Sequence, residues 1–237
     1  MGRSELQLHR QDRALVDLEL GLFAVFDGLG GVPGSERAAE LASALMPGLC
    51  RRLPGPPLER LAGALEALSA QIQRARLGAT TAVVLWVVGP VAWWISVGDS
   101  RLYLLRQGAL TQLTKDQGLG NLVDSALGFP EPKGSLTRQR GSLSLRPRDR
   151  LALVTDGVTG DFPPDILSSA ELVAALSKGP VQAAAEELVR RARKRDDRTA
   201  LVMDWLATAP RPRRAPTAGG AAATPPADGG GAAPPAR

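Results

Sequence analysis

The sequence predicts an α+β fold in which two antiparallel sheets pack face to face and carry pairs of helices on their outer sides. Three observations lead to this class. The elements follow the order strand, two helices, several strands, two helices and a last strand. The central strands are apolar on both faces, so every face needs a covering layer. The helices each have one apolar stripe with which they can supply that layer.

The first predicted elements are a buried strand and two helices. Residues 21–26 are apolar and stop at Asp27-Gly28, which is typical of a strand that ends in a turn. After a glycine-rich loop, Ser35 is the predicted N-cap of a helix that continues to about Leu49. A second helix follows a Pro-rich connector, and its apolar face would carry Leu58, Leu61, Leu65, Leu68 and Ile72.

The middle of the chain is predicted to be β. Residues 79–88 and 91–97 form a hairpin that turns at Gly89-Pro90, and residues 101–105 continue as a third strand. Residues 116–141 are rich in Gly and Pro and are predicted to be a loop. The remaining predicted elements are a strand, two helices and a last strand, over residues 150–155, 169–178, 181–194 and 199–206.

The C-terminal residues differ in composition from the rest. Residues 207–237 contain only Ala, Pro, Gly, Thr, Arg and one Asp, and such a segment cannot bury enough apolar area to fold. We expect one domain over residues 1–206, monomeric, followed by a disordered tail. The tail holds +3 of the net charge of +5, so the domain is only weakly basic and no nucleic-acid partner is expected.

The scarcity of histidine and cysteine restricts the chemistry. His9 and Cys50 are the single examples of their types, so they cannot assemble a zinc site of His and Cys ligands. A Cys–His catalytic pair would require these two residues to meet. The lone cysteine, the lack of a long apolar run and the charged N-terminus predict a cytoplasmic protein with no membrane partner. The working groups of an enzyme would be carboxylates, hydroxyls or lysines.

Aspartates occupy similar positions at the ends of several predicted strands. Asp27, Asp99 and Asp156 each lie at a strand end beside a glycine, and Asp196-Asp197 precedes the last strand. Any one of them alone is better explained as turn chemistry. Together, at one edge of a sheet, they would repel one another unless cations neutralised them. Oxygen ligands suit Mg²⁺ or Mn²⁺, and two such ions can activate water and clamp a phosphoryl group.

The same residues belong to motifs that resemble a known family in order and approximate spacing. The motifs are Phe23-Ala24-Val25-Phe26-Asp27-Gly28-Leu29-Gly30-Gly31, Gly78-Ala79-Thr80-Thr81-Ala82, Val97-Gly98-Asp99-Ser100-Arg101, Leu113-Thr114-Lys115-Asp116, Thr155-Asp156-Gly157 and Asp196-Asp197-Arg198-Thr199. They resemble the metal-dependent Ser/Thr protein phosphatases of type 2C, particularly the bacterial members, over about residues 11–205. Each motif by itself is weak evidence for this family, but their occurrence together in this order is specific to it.

The resemblance implies an αββα sandwich that hydrolyses phosphoserine and phosphothreonine on proteins, the products of a Ser/Thr kinase. It implies two Mg²⁺ or Mn²⁺ ions and a weaker third. Asp27, Asp156 and Asp196 would be the catalytic ligands, with the Gly28 carbonyl as a further ligand. Asp12 would hold metal-bound water, and Asp99 would ligate the third ion. Asp197 would be a neighbour of the ligand Asp196.

The sequence also departs from the family pattern. Gln7 stands where the family has a phosphate-binding Arg, and Leu29 stands where members have His or Met, which leaves protonation of the leaving group to water. Gly160 stands where another Asp is expected at the third metal, with Asp161 one residue late. The N-terminal strand and the loop after Asp116 are short.

Two alternatives stay open, and the departures support the first. One is a catalytically degenerate domain that binds phosphoproteins or metals as a regulatory module without turnover. The other is a two-metal nuclease or another phosphoesterase, which the carboxylate chemistry alone also allows.

Overall fold

The computed structural model describes residues 11–119, 122–129 and 138–206. Its strands are β1 (Arg13–Asp17), β2 (Leu22–Phe26), β3 (Ala82–Val88), β4 (Val91–Val97), β5 (Arg101–Arg106), β6 (Ala109–Gln112), β7 (Gly118–Leu119), β8 (Leu122–Val123), β9 (Gln139–Ser144), β10 (Asp149–Val154) and β11 (Ala200–Trp205). Its helices are α1 (Ser35–Arg52), α2 (Pro57–Arg74), α3 (Asp156–Thr159), α4 (Ser169–Leu176) and α5 (Val181–Arg191). No helix in these ranges is both long and apolar enough to cross a membrane.

Within the described ranges, nine of the strands form two sheets. The first sheet has the order β1-β2-β3-β4-β9, and the second has the order β11-β10-β5-β6. Every neighbouring pair is antiparallel. Strands β7 and β8 form a separate short pair. The two antiparallel sheets are those that the sequence predicts.

Three apolar clusters define the layers of the fold. Alternate residues of β2 and β3, such as Phe26 and Val84, pack against α1 and α2, while Val25 and Val83 face the second sheet. The second sheet alternates in the same way. Its outer face packs against α4 and α5, and its inner residues include Leu102, Leu104, Leu151 and Leu153. The fold is therefore the predicted four-layer αββα sandwich, with one apolar layer between the sheets and one under each helix pair.

Two of the strands that the sequence does not predict lie at the edges of the sheets. β6 is an edge of the second sheet, and β9 is an edge of the first. The loop prediction over residues 116–141 is wrong where β7, β8 and the first residues of β9 lie. The burial of β9 alternates between half-buried and exposed, and its sequence is largely polar. An edge strand with so few apolar residues gives almost no periodic signal.

The predicted N-cap at Ser35 is wrong by one residue. The N-cap of α1 is Gly34, whose φ of +84° is in the left-handed region. Ser35 is the first helical residue, and its hydroxyl accepts a hydrogen bond from the Ala79 N–H at 3.1 Å. The side chain thereby links α1 to the segment before β3 and does not cap its own helix. The helix includes Pro47 and continues beyond its predicted end at Leu49 to Arg52.

Some predictions concern residues outside the described ranges. They are the tail at residues 207–237, the domain boundary that precedes it, and the positions of Gln7 and His9.

Candidate active site

The predicted carboxylates meet at one end of the sandwich. Asp27 directly follows β2, Asp156 follows β10 at the start of α3, and Asp99 lies in the turn between β4 and β5. Since neighbouring strands are antiparallel, these strand ends fall at the same end of the two stacked sheets. They surround a cavity of about 500 Å³. The predicted metal ligands that line this cavity are Asp27, Gly28, Asp99, Asp156 and Asp196.

Backbone contacts fix the Asp27-Gly28 turn. The Asp27 N–H donates to Thr81 Oγ1 at 3.2 Å, and the Asp27 carbonyl accepts from the Thr81 N–H at 2.8 Å and the Thr80 hydroxyl at 2.9 Å. A Cβ at Gly28 would lie 2.8 Å from the Ser35 carbonyl oxygen. A larger residue would therefore push the start of α1 away from the turn. Packing requires the glycine and fixes the direction of the neighbouring carboxylate.

The second Asp-Gly pair is fixed by the segment before β11. A Cβ at Gly157 would lie 1.7 Å from the Asp197 carbonyl oxygen, so only glycine lets the two segments pass. The Asp197 carboxylate accepts a hydrogen bond from the Gln11 N–H. Asp196 lines the cavity. Asp197 thus binds the N-terminal segment, and Asp196 is the residue of the pair that lies in the cavity wall, where it can bind a metal ion.

Asp12 lies behind the cavity and contacts the second sheet. Thr155 Oγ1 donates to Asp12 Oδ2 at 2.9 Å and accepts from the Thr199 N–H at 3.1 Å. The other carboxylate oxygen, Asp12 Oδ1, is buried and has no hydrogen-bond donor among the described residues. A buried carboxylate oxygen without a donor is costly, so a cation or an ordered water beside it would be stabilising. The all-oxygen donor set fits a hard divalent cation.

Comparison with known proteins identifies the family. Residues 24–206 match the family described as Stage II sporulation protein E (SpoIIE). The serine/threonine protein phosphatase PstP of Mycobacterium tuberculosis is 31% identical over 193 residues, which cover 71% of this chain and 36% of PstP. The chain belongs to the SpoIIE and type 2C phosphatase family.

Solved structures of similar phosphatases have the same fold. The crystal structure of Mycobacterium tuberculosis PstP/Ppp is 26% identical and has a TM-score of 0.69, with 87% of this chain and 95% of that chain covered. The PstP catalytic domain in complex with two manganese ions is also 26% identical, with a TM-score of 0.64 and coverage of 87% and 94%. This chain spans 36% of the length of the curated PstP relative.

The structure explains the departure from the phosphatase family at Gly160. This residue has a φ of +71°, and a Cβ there would lie 2.4 Å from the Asp165 carbonyl oxygen, so no aspartate fits. Asp161 supplies a carboxylate instead. One carboxylate oxygen from each of Asp99, Asp156 and Asp161 lies within 4.8 Å of the others, a spacing that can hold a metal ion. The sequence names Asp161 only as displaced by one residue, and the structure brings it into the group.

An ion pair between two of the family motifs holds the Asp99 turn. The Arg101 guanidinium donates to both carboxylate oxygens of Asp116, with its Nε 2.9 and 3.0 Å from the two oxygens. The hydroxyls of Ser100 and Thr81 are 2.8 Å apart and join this turn to the segment directly before β3. These contacts give Arg101 and Asp116 a structural role beside the cavity that sequence reasoning does not assign.

One lysine enters the carboxylate group. Lys194 Nζ contacts Asp156 Oδ2 and lies 2.9 Å from Asp161 Oδ2 and 3.0 Å from Asp196 Oδ2. Burial alone would lower the pKa of Lys194, but the three carboxylates outweigh burial and raise that pKa. Sequence reasoning misses this residue because it belongs to the charged run Arg193-Lys194-Arg195, which is typical of a solvated surface.

The electrostatics indicate an excess of negative charge at the cavity. Burial, followed by the charges of Asp12 and Asp156, raises the pKa of Asp27 well above its usual range. Burial and the charge of Asp156 raise the pKa of Asp99 to about 7. Burial also raises the pKa values of Asp12 and Asp161. Carboxylates with raised pKa values in a cleft are typical of a site that binds cations.

The cavity wall also has apolar members. Leu29 lines it, as do Val32, Val123 and Phe129. Leu29 carries no proton that could be given to a leaving group, and the assignment of this role to water stays a prediction. The predicted phosphate-binding position at Gln7 lies outside the described residues.

Proposed function

We propose that this chain hydrolyses phosphoserine and phosphothreonine esters on proteins with the help of divalent cations. One observation carries the proposal. Five residues from four separate parts of the sequence, each predicted to bind metal, line the same cavity of about 500 Å³. Membership of the phosphatase family supports the reaction class, since the similar protein PstP is a serine/threonine protein phosphatase.

The proposed metal ligands are the Asp27, Asp156 and Asp196 carboxylates and the Gly28 carbonyl. Two Mn²⁺ or Mg²⁺ ions are proposed here because the similar PstP catalytic domain is described in complex with two manganese ions. A weaker third ion is proposed at Asp99, Asp156 and Asp161, whose oxygens lie within 4.8 Å of one another. When bound, such ions would lower the pKa of a water molecule and offset the charge of the phosphoryl group.

The chain's own residues would hold this arrangement in place. Thr80 and Thr81 fix the Asp27 backbone, and Thr155 fixes one oxygen of Asp12. Asp12, with its second oxygen free of protein donors among the described residues, would hold the attacking water in position. Leu29, Val32 and Phe129 would exclude bulk water from one side of the cavity.

The substrates are proposed to be phosphoproteins made by a Ser/Thr kinase, and the protein is proposed to act as a cytoplasmic monomer. The single cysteine supports the compartment. A nucleic-acid substrate is disfavoured by the weak net charge of the domain.

Hydrolysis of a phosphothreonine peptide in the presence of Mn²⁺ tests the proposal. We expect turnover that EDTA abolishes and that Asp27→Asn reduces by about 10³-fold or more, because a central metal ligand is lost. Asp17→Asn is the matched control. Asp17 lies at the far end of β1, where it pairs with Arg51, so this variant should keep the wild-type rate.

Three outcomes would contradict the proposal. Tight phosphopeptide binding without turnover at saturating Mn²⁺ would favour the degenerate regulatory module. Cleavage of DNA or RNA without cleavage of the phosphopeptide would favour a nuclease. A wild-type rate in Asp27→Asn would show that the ligand assignment is wrong.

A further inference from the structure

The three carboxylates around Lys194 are more than a surface ion pair. Asp156 belongs to the start of α3, Asp161 to the following loop and Asp196 to the segment before β11. The side chains of Lys194, Asp156 and Asp161 are only 15%, 11% and 8% exposed. An ammonium group has three N–H donors and no acceptor, and here three separate carboxylates surround it.

The carboxylates that contact Lys194 include those that the proposed function assigns to metal. Asp156 and Asp196 are proposed metal ligands, and both face Lys194 with their Oδ2 atoms. A cation of charge +2 beside the same oxygens would be repelled by the ammonium at close range, where solvent screens poorly. The ammonium and the metal ion therefore cannot both keep their best contacts with Asp156.

We propose that Lys194 is an internal counter-ion that competes with divalent cations for Asp156, Asp161 and Asp196. The inference rests on the proposed function, because it takes Asp156 and Asp196 as metal ligands. Metal binding is then an exchange, in which the ammonium leaves Asp156 as the divalent cation arrives. The exchange weakens metal affinity and stabilises the carboxylate group when the metal concentration is low.

The neighbouring residue provides a matched control. Arg195 also lines the cavity and carries the same charge, but its side chain is exposed and no ion pair joins it to a carboxylate in the described part of the chain. Arg195→Gln removes one positive charge near the cavity without removing an ion pair within the described part of the chain. Lys194→Gln removes the charge and the contact together. The difference between the two variants isolates the direct competition.

Calorimetric titration of EDTA-treated protein with Mn²⁺ alone tests the exchange. We expect Lys194→Gln to bind Mn²⁺ about tenfold or more tightly than wild type, a size common for changes next to metal ligands. Arg195→Gln should change the Kd by less than about threefold, as for an exposed charge. The rise in Tm between EDTA and saturating Mn²⁺ should be larger in Lys194→Gln than in either other protein.

The titration separates this inference from the proposed function because it contains no substrate. Equal or weaker Mn²⁺ binding by Lys194→Gln than by Arg195→Gln overturns the competition and leaves the proposed hydrolysis standing. Absence of Mn²⁺ binding by both wild type and Lys194→Gln overturns both.

A second measurement uses the wild-type protein alone, in case the variant does not fold. Acylation of lysine amines, followed by mass spectrometry, should label Lys194 several-fold faster at saturating Mn²⁺ than in EDTA, since the released ammonium reaches solvent. Lys178, exposed after α4, is the internal reference and should be labelled equally in both conditions. Equal labelling of Lys194 in EDTA and Mn²⁺ would overturn the exchange.

Discussion

The two ends of β10 carry buried aspartates in opposite electrostatic environments. At the first residue, the Arg106 guanidinium donates to both oxygens of Asp149, at 2.8 and 2.6 Å, and the Arg146 N–H donates at 2.7 Å. At the other end, Asp156 lies among further carboxylates that share one lysine. Burial alone therefore does not mark a functional carboxylate. A complete set of donors indicates a structural role, and a shortage of donors indicates a site for a cation.

The largest effect expected from this comparison is on activity. Asp156→Asn should reduce hydrolysis of a phosphothreonine peptide by about 10³-fold or more, because it would weaken a proposed metal ligand. Asp149→Asn, measured at a temperature where it stays folded, should keep the rate within about threefold, because this carboxylate lies at the other end of β10 and does not line the cavity. Steady-state kinetics at saturating Mn²⁺ compares the two. Similar losses in both variants would remove the functional distinction between the ends of the strand.

The next effect is on stability, where we expect the substitution at Asp149 to cost more than the substitution at Asp156. Asp149→Asn should lower the free energy of unfolding by about 2–4 kcal/mol, because it leaves a partly buried guanidinium without its carboxylate. Urea unfolding at neutral pH measures this change. The double variant Arg106→Met with Asp149→Asn should recover part of the loss, since neither charge is then left unpaired. A double variant as unstable as the sum of the single variants would show that the pair itself is not the cause.

The pH dependence of stability in EDTA gives the smallest effect when it is counted per pH unit. Burial and the charge of Asp156 raise the pKa of Asp99 to about 7, so between about pH 4 and pH 7 the folded state binds more protons than the unfolded state. The free energy of unfolding should therefore fall as pH rises through this window, by at most about 1.4 kcal/mol per pH unit for one proton. Urea unfolding at several pH values measures the slope, and Asp99→Asn should reduce it. An unchanged slope in Asp99→Asn would show that other titratable groups cause the pH dependence of stability.

The contribution of Asp149 to the free energy of unfolding changes with pH in the opposite direction. Burial would raise its pKa, but the hydrogen bonds from Arg106 and the Arg146 N–H outweigh burial and lower it. Its contribution is therefore present above its ordinary pKa of 3.8 and is lost as pH falls through the lower folded value.

The sequence predicts the main carboxylates because each follows a strongly apolar strand or opens one. Asp27, Asp99 and Asp156 stand out at the ends of buried runs, and the antiparallel pairing of those runs brings them together. The layered fold is predictable for the same reason, since doubly apolar strands need cover on both faces.

Other parts depend on contacts that leave no local pattern. The role of Lys194 depends on where the segment before β11 passes α3, and the position of Asp161 depends on the left-handed conformation of Gly160. The edge strand β9 has one neighbouring strand in the described part, and its polar sequence gives no strand signal. Its extended structure therefore depends on pairing with β4. For Lys194 and for β9 the decisive partner is distant in sequence.

The placement of Asp27 and Asp156 has a mechanical consequence. Asp27 ends a strand of the first sheet and Asp156 follows a strand of the second, so a ligand held by both would cross-link the two sheets. The Gln11–Asp197 and Asp12–Thr155 hydrogen bonds already join the segment before β1 to the segments before β11 and after β10 at this end of the sheets. Binding at the cavity would thus add a further link between the two sheets at one end of the sandwich.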